Sequence, residues 1–208
     1  LMINYAVDPK ILEPLVPRGC ELDLWNGQAF VSLVGFRFLD TRLKGIPIPF
    51  HRDFDEINLR FYVRRKDHEN ETDGEWKRAV AFVKEIVPKR AIAWTARVFY
   101  NEPYIAVPTR HTIQIETGDD RSKSRLVQYE WKYRGQWNSL SVEPVGDPQP
   151  MTDGSEEQFI AEHYWGYTAQ RDGGTIEYQV KHPSWRVWSC TDPKVQINVA
   201  DLYGEQFV

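Results

Sequence analysis

Residues 54–65, Phe54-Asp-Glu-Ile-Asn-Leu-Arg-Phe-Tyr-Val-Arg-Arg65, alternate strictly between apolar and polar side chains. Ile57, Leu59, Phe61 and Val63 share one face, and Glu56, Asn58, Arg60 and Tyr62 share the other. Period two belongs to a β-strand, whose successive side chains point to opposite sides. A strand with one greasy face must bury that face against another layer, so the chain is built around a sheet. The polar row has two readings at this stage. It is either the solvated outside of a sandwich, or the inside of a curled sheet, where carboxylate, amide, guanidinium and phenol would line a lumen and orient a small polar ligand.

The flanking sequence repeats the strand signal. Residues 28–38 are β-branched and aromatic, and residues 75–87 read as the return strand of a hairpin whose turn is His68–Gly74. Gly45–Pro49 is a proline-rich connector. Pro88 opens a helix through Arg97, with proline tolerated at a first helical position, and Asn101–Pro103 ends it. Residues 104–116 and 125–133 form a second strand pair around a turn at Gly118–Asp120. Residues 143–154 hold prolines and glycines and read as a loop. Ser155 and Gln158 have capping-box spacing for a second helix, running to about His163. Residues 166–170, 175–181 and 185–188 are short strands, with Asp172-Gly173-Gly174 as a hairpin turn. This predicts an α+β, mostly β chain: a curled, barrel-like antiparallel sheet with two helices, forming one domain over residues 1–208 with a central cavity.

Composition excludes several classes. With 26 basic and 30 acidic residues the net charge is −4, which disfavours a phosphate-binding surface and so a nucleic-acid partner. The 8 Trp, 10 Tyr and 10 Phe disfavour disorder. No apolar run has transmembrane length, and Leu1–Lys10 lacks a basic-then-apolar leader, so a cytoplasmic protein without a membrane partner is expected. Cys20 and Cys190 are expected as free thiols. Phosphate loops, nucleophile elbows, HExxH and CxxC are all missing, so no cofactor and no metal are predicted.

The candidate chemistry rests on a few side chains. Arg60 can hold a carboxylate or phosphate by a bidentate fork, and Glu56 can serve as general acid or base if burial raises its pKa. Arg97 and Tyr100, three apart, lie on one helix face and lead through Asn101-Glu102-Pro103 to Tyr104. The segment Glu162-His163-Tyr164-Trp165-Gly166-Tyr167-Thr168 is dense in polar-ended aromatics. In it, His163 is either a titrating acid/base or a satisfied structural histidine. The tryptophans, Trp131, Trp137, Trp185 and Trp188 among them, are either core or binding hot spots.

FDEINLRFYVRR, GEWKRAVAFV, the AR-to-YNEPY stretch, EHYWGYT and the closing HPSW occur in this order between about Leu15 and Trp188. In this the chain resembles the YqjF-like conserved proteins, the domain of unknown function numbered 2071, grouped with the acetoacetate-decarboxylase-like fold. The resemblance implies a curled, largely antiparallel sheet around a cavity, and it matches Glu56 to a cavity carboxylate of those enzymes. The decarboxylases use a Schiff-base lysine, its pKa lowered by a second lysine, after a proline at a helix exit. Here Pro103 is followed by Tyr104-Ile105, so decarboxylation through an imine is not expected.

Three functions are in play. The first is a binding protein for a small anionic or carbonyl-containing molecule, held by Asn58, Arg60, Tyr62, Arg97, Tyr100, Tyr104 and Tyr164. The second is a non-Schiff-base enzyme of lyase or hydrolase type, with Glu56 or His163 as acid/base. The third is a protein-interaction module, and a homodimer is compatible with all of them.

Overall fold

The computed structural model describes residues 1–43, 46–47, 52–66, 75–115, 125–180 and 184–208. The chain runs β1 (Met2–Val7), α1 (Pro9–Leu12), β2 (Glu21–Leu22), β3 (Ala29–Phe38), β4 (Arg42–Leu43), β5 (Ile46–Pro47), β6 (Phe54–Lys66), β7 (Trp76–Val87) and α2 (Arg90–Thr95). It continues through a π turn over 96–100, then β8 (Tyr104–Ala106), β9 (Thr109–Gln114), β10 (Leu126–Tyr133), β11 (Gln136–Pro150), α3 (Glu156–Ala161), β12 (Trp165–Ala169), β13 (Thr175–Gln179), β14 (Arg186–Gln196) and α4 (Val199–Tyr203).

The larger sheet has the order β1-β3-β6-β7-β12-β13, with β2 beside β6 and β8 beside β7; the smaller has the order β14-β11-β10-β9. Most pairings are antiparallel, and neither sheet closes on itself among the described residues. The strictly alternating segment is the centre of the larger sheet, flanked by β3 and β7. Its apolar row does what the pattern demands: Ile57, Leu59, Phe61 and Val63 are buried with Tyr129, Trp131 and Leu140 of the smaller sheet. At about 1.5–3 kcal/mol for each fully buried large side chain, this layer is the main favourable term.

The polar row is also buried. Phe159 and Ile160 of α3 cover it at one end, packed with Phe30, Tyr62 and Val80. Ala93 of α2 covers the other end, against Phe54 and Val87. The solvated-outside reading of the row is therefore set aside; it is an inner surface between sheet and helices.

A β-bulge decides what β7 contributes to that surface. Leu59 pairs with Lys84 but Arg60 with Phe82, leaving Val83 as the extra residue. Before the bulge Ala79 and Ala81 face the main core, and after it Ile86 does. The parity switch turns Glu85 and Val87 toward the polar row. The far edge of β7 then splits. β12 pairs in parallel at Ala79 and Val80, and β8 pairs in parallel at Glu85 to Val87. Between the two lies a fork at residues 81–84.

Several expectations are corrected. Four short α-helices are present among the described residues rather than two. Residues 143–150, expected as a loop, extend β11 as an arm paired only with β14, where Pro144 and Pro150 sit opposite Cys190 and Arg186 and the register slips between Val145 and Gln149. Prolines are tolerated because, among the described residues, no strand pairs with the arm's other edge. The strand expected over 104–116 breaks at Val107 and Pro108. β1 and α4 were not legible beforehand. The turns at 68–74 and 118–120, Gly45, Ile48 and Pro49 of the connector, and His182-Pro183 lie outside the described residues. Both cysteines are free thiols.

Candidate functional site

Three carboxyl groups meet on the inner surface. Glu56 comes from β6, Glu85 from β7 after its bulge, and Glu102 from the loop before β8. All are buried, Glu56 and Glu85 to 2% exposure. Register explains the meeting: Asn58 lies opposite Glu85, and Glu85 lies opposite Tyr104. Directly paired residues share a face with their Cβ atoms about 4.5–5.5 Å apart. Glu102 is brought in by a left-handed residue, Asn101 at φ 55°, which ends the π turn. Asn101 is anchored there by donating from Nδ2 to the Ala169 carbonyl at 2.8 Å.

The cluster is satisfied mostly by neutral donors. Asn58 Nδ2 donates to Glu56 Oε1 at 3.0 Å, and the Tyr104 hydroxyl donates to Glu56 Oε2 at 2.9 Å. Thr168 Oγ1 donates to Glu102 Oε1 at 3.0 Å. Tyr178 reaches the cluster by crossing Gly166, its partner across β12 and β13. A Cβ on Gly166 would stand 2.2 Å from Tyr178 Cζ, so glycine is what admits the ring.

Burial without a dedicated cation shapes the acidities. Desolvation raises Glu56 to about 7, reinforced by Glu102 and opposed by the Asn58 and Tyr104 bonds and by Arg60. Desolvation, with the charges of Glu56 and Glu102, holds Glu85 well above the carboxylate range. The phenols of Tyr104 and Tyr178 are pushed up by burial and by the same carboxylates, so they remain donors.

The other expected residues are distributed as follows. Arg60 lies between two networks and donates to the Ile160 carbonyl at 3.1 Å, capping α3. Tyr62 is buried against Phe159 and His163 and shares a 2.5 Å hydrogen bond with Ser32. His163 is not in the carboxyl cluster. Its Nε2 stands 3.3 Å from Asp23 Oδ2, and Arg78 Nε reaches the same oxygen at 2.6 Å. Desolvation, then the charges of Arg78 and Arg60, lower His163 to about 4, so it is neutral at pH 7. Burial alone would raise Asp23, but its bonds to His163 and Arg78 bring it below its usual value. Tyr164 is half-buried after α3, its carbonyl accepting from the Val180 amide. Arg97 and Tyr100 face solvent on the π turn. Of the tryptophans, Trp131 is core and Trp137 and Trp185 are exposed.

The fork in the sheet is where this interior opens. One recess of about 160 Å³ is lined by Ala81, Phe82, Asn101, Pro103 and Thr168 among others. It adjoins, through Asn101, an outer recess of about 240 Å³ lined by Arg97, Val98, Asn101, Gln170, Arg171 and Asp172. Thr168 lines the inner recess and bonds Glu102, and Pro103 stands between Glu102 and Tyr104. The inner recess is thus one residue from the cluster.

Glu85, Glu102, Thr168, Tyr178 and Asp23 were missed from sequence. Period two, carried along β7 without the bulge, puts Glu85 on the core face with Ala79 and Ala81. Glu102 was in view inside the YNEPY stretch, but nothing in its spacing shows that Asn101 turns it inward. The one local signal was Gly166, a glycine inside a strand, which marks a close approach.

Comparison with known proteins agrees with this architecture. Residues 1–208 match the family DUF2071, described as an uncharacterized conserved protein, and the chain belongs to that family. It is 27% identical over 209 residues to the uncharacterized protein YqjF of Bacillus subtilis (strain 168), covering 98% of this chain and 78% of that one. Among solved structures it resembles acetoacetate decarboxylase from Legionella pneumophila, with a TM-score of 0.59 and 13% identity over 98% of this chain and 75% of that one. It also resembles the enduracididine biosynthesis enzyme MppR complexed with pyruvate, with a TM-score of 0.57 and 13% identity over 99% and 76% of the two chains. The fold is acetoacetate-decarboxylase-like.

Proposed function

We propose that this member of the family binds a small carbonyl-containing organic acid at the sheet fork. Its carboxylate would lie in the outer recess against Arg97 and Arg171, and its carbonyl would point through the inner recess toward the carboxyl–phenol cluster. The observation that carries this is the juxtaposition: Asn101 lines both the arginine-bearing outer recess and the inner one, and Thr168, which lines the inner recess, donates to Glu102 of the buried carboxyl–phenol cluster. Guanidinium groups suit a carboxylate, whereas an acidic, buried cluster excludes one, so the ligand's orientation is set by charge. The combined space suits a molecule of a few heavy atoms, the size of the pyruvate named in the MppR complex.

An imine route has no support from the residues. Tyr104 follows Pro103, and the half-buried Lys84 of β7 is lowered by desolvation and by Arg134 of the β10–β11 turn, not by the cluster. A second reading is favoured by Glu56 titrating near neutrality: acid–base chemistry next to the bound carbonyl, with Glu56 and not His163 as the base.

The test is titration calorimetry and thermal unfolding with pyruvate and acetoacetate, against propionate and acetone as controls. Stabilisation by the oxo acids alone, lost in the Arg97→Ala/Arg171→Ala double variant, is expected. Equal responses to oxo acids and controls, or binding unchanged in the double variant, would sink it. Running the oxo acids in heavy water and following α-hydrogen exchange by NMR separates binding from turnover.

A further inference from the structure

Two buried oxygens in the cluster have no hydrogen-bond donor: Asn58 Oδ1 and Glu85 Oε2. Their residues are each 2% exposed, which keeps bulk water away. They are direct cross-strand partners on one face. Orphaned buried acceptors are costly and call for an explanation. Rotating the Asn58 amide does not help, because its Nδ2 is already committed to Glu56 Oε1 at 3.0 Å. A flipped amide would set its oxygen against that carboxylate. The Glu85 carboxyl also lies within hydrogen-bonding reach of the Tyr104 phenol and the Glu102 carboxyl, and a single proton on Glu85 Oε2 satisfies both orphans at once.

We propose that Glu85 is a neutral carboxylic acid at pH 7, its Oε2 hydroxyl donating to Asn58 Oδ1. Glu85 is thereby a positioning residue. Its proton fixes the Asn58 amide, the amide aims Nδ2 at Glu56, and the Tyr104 hydroxyl supplies the second donor. Glu56 is left with both oxygens satisfied in the ionised form, as the group of the cluster that releases its proton near neutrality.

The surroundings point the same way. The charged and titratable groups facing Glu85 are Glu56 and Arg60 of β6, Tyr104 of β8, Tyr178 of β13 and Glu102. Arg60 is the only cation among them, and its guanidinium is bonded to the Ile160 carbonyl. Three carboxylates cannot all ionise side by side in a dry site; like charges force protons onto some of them. Glu102 adjoins the inner recess through Thr168, which donates to it, whereas Glu85 is enclosed at 2% exposure with an Oε2 that no donor reaches.

The inference goes beyond ligand binding, since it concerns the free protein and needs no ligand. Carboxyl NMR of the full chain labelled with ¹³C-glutamate, followed from pH 5 to 9, tests it. The Glu85 signal is expected to stay protonated through pH 7 while Glu56 titrates about 7. In Glu85→Gln the amide nitrogen takes over donation to Asn58, so the Glu56 midpoint should not move. An ionised Glu85 would overturn the proposal, and so would a fall of the Glu56 midpoint in Glu85→Gln, because that fall means a negative charge was removed. Should that variant not fold, Asn58→Ala decides. Losing the acceptor lowers the Glu85 midpoint and losing the donor raises that of Glu56; parallel shifts or no shifts refute the bridge. Failure of oxo-acid binding would leave these titrations unchanged, so the two proposals fail separately.

Discussion

Gly166→Ala is the smallest change that should dismantle the site without touching a charged residue. Its added methyl would stand 2.2 Å from Tyr178 Cζ and 2.5 Å from Cε2 and the hydroxyl, where ordinary contacts begin near 3.4 Å. The ring must withdraw by roughly 1 Å or more, and it cannot do so while its phenol stays at Glu102. Overpacking costs about 1–3 kcal/mol, and losing a hydrogen bond to a carboxylate about 1.5–3, so the variant should lose about 2.5–6 kcal/mol. The assay is a double-mutant cycle by urea unfolding at pH 7, using wild type, Gly166→Ala, Tyr178→Ala and the double variant. With Tyr178 gone there is nothing to collide with. Alanine should then cost nothing, or stabilise by about 0.4–1 kcal/mol through the unfolded chain. The coupling energy should exceed about 2 kcal/mol. A Gly166→Ala penalty of the same size in both backgrounds would refute the account of why glycine stands there.

Stability against pH should expose two buried groups that work in opposite directions. Glu56 is raised from 4.5 to about 7, so its stabilising neutral form is fully present below 4.5 and lost as pH rises through 7. His163 is lowered from 6.5 to about 4, so its contribution is present above 6.5 and lost as pH falls through 4. Each amounts to about 3 kcal/mol by linkage, and between pH 4.5 and 6.5 the two slopes cancel. Denaturant unfolding should therefore give Glu56→Gln a stability that rises with pH in this window and His163→Gln one that falls; two flat profiles would contradict both assignments. Arg60→Met keeps the apolar stem but removes the donor to the Ile160 carbonyl and a charge that favours ionised Glu56. Amide exchange in α3 should speed up and the Glu56 midpoint should rise, whereas an unchanged midpoint would show that Arg60 acts only on the helix.

The sequence was most informative where one physical rule acted alone. Alternation over residues 54–65 needs nothing but the two faces of a strand, and it located both the core row and the polar row of β6. The Ser155 cap holds because it is a local bond: the Gln158 amide donates to Ser155 Oγ at 3.2 Å. What sequence hid depends on register. The Val83 bulge reverses the parity of β7, so the same alternation that finds Glu56 misplaces Glu85. The prolines of residues 143–150 signal a loop because they cannot pair centrally. They tell nothing of an arm paired along one edge among the described residues, which is where they sit. Which way the polar row faced was undecidable from β6 itself, since a lumen and a solvated face share the pattern; α2 and α3 decide it by covering the row.

The distribution of cost across the molecule locates the function better than any single residue. On the core face of β6, Ile57, Leu59, Phe61 and Val63 are apolar and packed with the smaller sheet, and the buried carboxylate on that face, Asp55, has His111 Nδ1 2.8 Å away. On the other face, three carboxyls, an asparagine and two phenols are withdrawn from water with Arg60 as the nearest cation, and that cation is committed elsewhere. Replacing both partners of a buried hydrogen bond by apolar groups of similar shape is commonly near neutral, and Val or Leu at 56, 58 and 85 would meet Phe159 of α3 and Ala93 of α2, which already cover this face. The bulge that admits Glu85, the left-handed Asn101 that turns Glu102 inward, and the glycine that lets Tyr178 across are three independent departures from regular structure, and each aims a group at the same point. Departures from local rule that converge on one place, beside the only fork in the described part of the larger sheet, are the structural basis on which the proposed binding site rests.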